Sequence, residues 1–173
     1  IAVDLGVTLI GLREQGITAL APRALGGALK YVSLAHNHID VVSASAFDDA
    51  RGLVALGLSD NNISVVEGTF PRSLQSLALH GNRIHVMQPG FVAEGLHILF
   101  IDENRMREIE TGSFDGFPRL EYVWMGGNEV NCSTTRDALP IGVRCIEARC
   151  AAISGLLTIG NGICNAEHDP KCM

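Results

Sequence analysis

The sequence predicts an arched α/β repeat solenoid. A parallel β-sheet should line its concave face, with short turns and 3₁₀ segments on the convex face. Three observations carry this expectation. Asparagine recurs at 37, 61, 82, 104 and 128, each eight residues after a leucine, at spacings of 24, 21, 22 and 24 residues. The apolar residues before each asparagine alternate by two, the pattern of a short strand with one buried face. A bulky apolar residue then returns nine or ten places later, at Leu25, Phe47, Phe70, Phe91 and Phe114. A unit this small cannot bury its apolar face alone, so neighbours must stack and share one continuous core.

In chain order the units read VTLIGLREQGI, LKYVSLAHNHI, LVALGLSDNNI, LQSLALHGNRI, LHILFIDENRM and LEYVWMGGNEV, covering residues 7 to 130. Leu29, Val32 and Leu34 should point inward in the second unit, and Leu53, Leu56 and Leu58 in the third. Asparagine suits the bend after each strand because its amide both donates and accepts, so it can satisfy backbone groups that the turn leaves unpaired. Gln15 stands in the asparagine place of the first unit and should serve less well. The apolar residues about ten places on should form a second spine on the convex side.

These segments resemble the leucine-rich repeat family. Gly68-Thr69-Phe70, Pro89-Gly90-Phe91 and Gly112-Ser113-Phe114 resemble the GxF element of its extracellular "typical" subclass. The resemblance implies a repeat solenoid over 1–130 and a divergent cysteine-rich C-terminal cap over 131–173. It also implies a reference class of receptor ectodomains, matrix proteins and immune recognition molecules. Within that class the expected role is a non-enzymatic recognition module that binds a protein through its concave face; the alternatives are a fragment of a larger receptor, with a possible kinase domain, and a structural or self-associating unit.

The tail speaks to compartment. Cys132, Cys145, Cys150, Cys164 and Cys172 cluster there with no cysteine before them, as expected of disulfides in an oxidising environment. The close pairs of a zinc site are absent. Two N-linked glycosylation triplets, Asn62-Ile63-Ser64 and Asn131-Cys132-Ser133, agree. Secretion, or the outer side of the cell surface, is therefore expected from chemistry, since no targeting segment is visible. The uncharged stretch from Ala151 to Ile163 is too short to span a bilayer, so no membrane insertion is expected. Gly160 to Asn165 looks faintly like the start of a Notch-type calcium module. His168 replaces a cysteine there and the acidic ending is missing, so no metal or other cofactor is expected.

Net charge is −6 and the tail is neutral, so the repeats carry the acidic excess. That argues against nucleic acid and for a protein partner with a basic and apolar surface. The positions six, four and two before each asparagine should face the concave side. They place Ile98, Phe100, Tyr122 and Trp124 side by side in one apolar patch, with Tyr31, His80 and Asp102 also on that face. Asp102, Glu103 and Glu121 would border it. Such a patch marks an interface, unless the cysteine-rich tail folds across it. Ser59, His80 and Asp102 fall in one row across three strands. An open strand surface supplies neither oxyanion donors nor a water-excluding pocket, so no catalysis is expected. His36 and His38 should diverge around Asn37, which leaves no metal pair.

Overall fold

The computed structural model describes residues 8–147. In chain order its strands are β1 (Leu9–Gly11), β2 (Tyr31–Ser33), β3 (Val41–Ser43), β4 (Ala55–Gly57), β5 (Val65–Thr69), β6 (Ser76–Ala78), β7 (Val86–Met87), β8 (Phe91–Val92), β9 (Ile98–Phe100), β10 (Glu108–Ile109), β11 (Tyr122–Trp124) and β12 (Arg144–Ile146), with one 3₁₀ turn at Ala44–Phe47. Among the described residues there is no α-helix, so the helical half of the expected class shrinks to that single turn.

Seven strands form the concave sheet in the order β1-β2-β4-β6-β9-β11-β12, every neighbouring pair parallel. Equivalent repeat positions face each other: Tyr31 pairs with Ala55, Ser76 with Ile98, and Ile98 with Tyr122. The sheet continues past residue 130, because β12 adds to β11 with Tyr122 opposite Arg144. On the convex limb, parallel pairing exceeds the turns expected there. β3-β5-β8 make a three-stranded ladder and β7-β10 a two-stranded one. The limbs are short and repeat in register, so their backbone groups find partners in the next limb.

The inward-facing residues behave as the alternation requires. Leu29, Val32, Leu34, Leu53, Leu56 and Leu58 are all buried in one core running the length of the repeats. Asparagine binds that core together. The Asn61 Nδ2 donates to Leu58 O in its own repeat at 3.1 Å and to Leu34 O in the previous one at 3.0 Å. Its Oδ1 accepts the Ile39 N–H at 3.0 Å. Asn82, Asn104 and Asn128 repeat the arrangement on Ile63, Ile84 and Met106. Gln15 departs from it, its amide donating only to Arg13 O at the exposed end.

The residue before each of these positions has a left-handed backbone: Glu14, His36, Asp60 and Glu103 at φ between 51° and 56°, Gly81 at 68° and Gly127 at 74°. Each turn therefore bends sharply just before the asparagine, which aims the amide back into the repeat. Four of these six places carry a side chain despite the steric penalty.

The convex spine is present, with one difference from expectation. Phe47 stacks on Phe70 at 5.7 Å between centroids, and Phe70 meets Phe91 edge-on at 5.3 Å. The next contact of Phe91 is with Phe117, at 4.8 Å, while buried Phe114 packs against Phe117 from the side. Gly116 explains the shift. A Cβ there would lie 2.5 Å from Phe91 O, so only glycine lets this turn press against β8 and deliver Phe117.

Candidate recognition face

The concave sheet brings the predicted residues together, but not as a uniformly open patch. Ile98 and Tyr122 are half-buried, as are Tyr31 and His80. Phe100 and Trp124, expected to be open, are 5% and 2% exposed. Their rings stack at 4.7 Å with planes 30° apart. They pack with Ala78, Ile98, Tyr122 and Ile146 in a hydrophobic cluster separate from the repeat core. Mutual stacking is the physical reason that these two rings lose surface. The indole Nε1 is buried without a hydrogen-bond partner. Asp102 is also buried, at 0% exposure, together with Ala35, Ser59 and Gly126 in the same row. This row lies in the crook between strand and turn, where short side chains are enclosed. The exposed acidic border therefore consists of Glu103 and Glu121.

Two residues that the repeat pattern did not flag extend the face. Arg144 lies over the Tyr122 ring, 5.8 Å from its centroid, a cation–π arrangement. Ile146 joins the aromatic cluster. Arg144 follows Tyr122 by 22 residues, one repeat length. That spacing was the available signal for a seventh strand, obscured because no leucine framework surrounds it.

Ser59 and His80 do meet, with Oγ and Nδ1 3.2 Å apart. Burial lowers the His80 pKa below its ordinary 6.5, opposed by the nearby Asp60 and Glu103 carboxylates and reinforced by His36. Burial thus favours the neutral imidazole, which makes a polar contact with Ser59 on the sheet. The one helical element among the described residues is the 3₁₀ turn at Ala44–Phe47. His36 turns toward Asp60, with Nδ1 3.6 Å from Oδ2. His38 is exposed, and no group of metal-ligating side chains forms among the described residues.

Cys132 and Cys145 form a disulfide that ties the segment after β11 to β12. Cys150, Cys164 and Cys172 lie outside the described residues. So do the calcium-module resemblance and the question of whether the tail crosses the aromatic patch. Asn62 is half-buried, whereas Asn131 is exposed. No helix among the described residues is long and apolar enough to cross a membrane.

The comparisons with known proteins agree with this geometry. The leucine rich repeat family model matches residues 6–70 and 72–130. Chicken (Gallus gallus) lumican is 26% identical over 136 residues, which is 74% of this chain and 39% of lumican. Mouse (Mus musculus) nephrocan is 28% identical over 61% of the chain and 21% of its own length. Human (Homo sapiens) leucine-rich repeats and immunoglobulin-like domains protein 3 is 32% identical over 57% of the chain and 9% of its own length. The chain thus spans well under half of each of these relatives. Among solved structures, TLR13 in its complex with ssRNA13 superposes with a TM-score of 0.65 at 21% identity, over 76% of this chain and 20% of that one. That likeness establishes the fold alone. With the family model matching through most of its length, the chain belongs to the leucine-rich repeat family.

Proposed function

We propose that this is a non-enzymatic extracellular recognition module that binds a protein through its concave face. One observation carries the reading: Phe100, Trp124, Ile98, Tyr122 and Ile146 form an apolar cluster on the concave side, apart from the core that holds the repeats together. Core packing does not call for aromatic residues there, whereas Trp and Tyr dominate interface hot spots. In this reading the half-buried Ile98, Tyr122, Tyr31 and His80 touch the partner, and Phe100 and Trp124 support them from beneath. Glu103 and Glu121 favour a basic rim on the partner, and the net charge of −6 disfavours nucleic acid. The ssRNA of the TLR13 complex belongs to that protein. The disulfide supports an oxidising compartment. In this reading the binding array runs through the repeats and on into β12, whose Arg144 and Ile146 border the cluster.

Panning the oxidised chain against an extracellular protein library tests this, alongside an Ile98→Ala/Tyr122→Ala variant with an unchanged circular dichroism spectrum. A partner held by the parent and lost by the variant supports the reading. Equal capture by both removes the concave cluster from it.

A further inference from the structure

The two glycosylation triplets are treated differently by the fold. Asn62 directly follows the asparagine of its repeat. The same place holds His38, Arg83, Arg105 and Glu129 in other repeats, and all four are exposed. This register faces outward on the flank in those four repeats, two of which accommodate a side chain as long as arginine, and Asn62 in the same register is half-buried. The Asn62 backbone N–H donates to Ile39 O at 2.9 Å. Among the described residues no hydrogen bond engages its side-chain amide.

Asn131 sits in a closed structure instead. Its Oδ1 accepts the N–H groups of Ser133 and Thr134, both at 3.0 Å. Thr134 Oγ1 accepts the Asn131 N–H at 3.1 Å. Between asparagine and serine, Cys132 is covalently bound to Cys145 of β12, and its N–H donates to Glu147 Oε1 at 3.0 Å. A glycosyl transferase must hold the acceptor amide and the hydroxyl two residues on at the same time. A triplet anchored at its middle residue cannot be drawn into such a site.

We propose that Asn62 carries an N-linked glycan and that the Cys132–Cys145 bond withholds Asn131. The proposal rests on the reading of the chain as a secreted, oxidised module. In the transfer, Asn62 Nδ2 attacks the anomeric carbon of a lipid-diphosphate-linked oligosaccharide supplied by the secretory apparatus. A C–N bond forms, the bond from carbon to diphosphate oxygen breaks, and the lipid diphosphate leaves with the electron pair. One amide proton passes to a base of the transferase, with no change in oxidation state. The glycan then stands on the flank and leaves the concave face open.

The test expresses the full chain behind a cleavable secretory leader in eukaryotic cells. Occupancy of each site is read by peptide mass spectrometry on total chain, whether retained or released. The set comprises the parent, Asn62→Gln, Asn131→Gln and Cys145→Ser. The parent should carry glycan at Asn62 in most molecules and at Asn131 in a small minority. Asn62→Gln should remove nearly all of the added mass, and Asn131→Gln almost none. Cys145→Ser should raise Asn131 occupancy several-fold. A bare Asn62 in chain that is oxidised at Cys132 and Cys145 overturns the proposal and leaves the secreted reading standing. So does Asn131 occupancy as high in the parent as in Cys145→Ser. Parent chain with both cysteines reduced overturns the reading beneath it, and the proposal with it.

Discussion

Phe91 meets Phe117 edge-on, with centroids 4.8 Å apart and planes at 89°. The contact carries the convex spine from β8 into the last repeat, and it depends on a residue with no side chain. Gly116→Ala would place a methyl group against the backbone of Phe91 and Val92. The turn must then withdraw, costing about 1–3 kcal/mol by overpacking. Urea denaturation should show a lower midpoint with an unchanged slope.

The asparagines should rank by what their amides reach. Asn82 is buried and engages Ile63 N, Leu58 O and Leu79 O, all within 3.0 Å. Asn82→Ala leaves several of these groups buried and unpaired, at about 1–3 kcal/mol for each that water cannot reach. A total loss of about 3 kcal/mol is expected. Gln15→Ala, which removes one exposed bond to Arg13 O, should cost less than about 0.5 kcal/mol. Thermal or urea unfolding of the two variants checks the contrast.

Acid should weaken the fold through His80. Its folded pKa lies below the ordinary 6.5 because burial disfavours the charged ring. The unfolded chain therefore takes up the proton first as pH falls. The stability that His80 contributes is complete above 6.5 and declines from there down through the lowered folded value. Unfolding midpoints measured across this window should fall with pH, and the slope should flatten in His80→Gln.

Loss of the disulfide should be visible at a distance. Cys132 and Cys145 are separated by 13 residues, and closing a loop of that size contributes about 3 kcal/mol on the chain-entropy account. In Cys145→Ser, β12 should loosen and Ile146 should leave the aromatic cluster. Trp124 is the sole tryptophan of the chain, so its emission should shift to the red while the far-ultraviolet spectrum is kept.

The repeat pattern made most of the scaffold legible, because leucine, asparagine and phenylalanine each do one physical job at a fixed interval. Three features escaped it. Phe117 and Phe114 are both apolar, and only the close approach permitted by Gly116 decides which one continues the spine. The sharp bend before each asparagine was hidden because its residues share no type: Glu14, His36, Asp60, Gly81, Glu103 and Gly127 have only a backbone angle in common. The strand at Arg144–Ile146 keeps the period but lacks the leucines that mark the others. On the concave face, alternation told which side chains share a surface. It could not tell that Phe100 and Trp124 would turn their faces to each other, since stacking depends on ring orientation and not on register.

The asparagine bonds that cross between repeats also run in one direction. Asn61 grips Ile39 and Leu34, and Asn82 grips Ile63 and Leu58, so each clasp belongs to the repeat that comes later in the chain. On the ribosome, the amide clasp on each repeat closes only when its successor has been made. Closure of these clasps therefore trails synthesis by one unit of 21 to 24 residues. Beyond the sixth unit, β12 extends the sheet with Cys145 opposite Val123, and a covalent bond to Cys132 fastens that strand where the amide clasps of the earlier repeats are replaced by a disulfide.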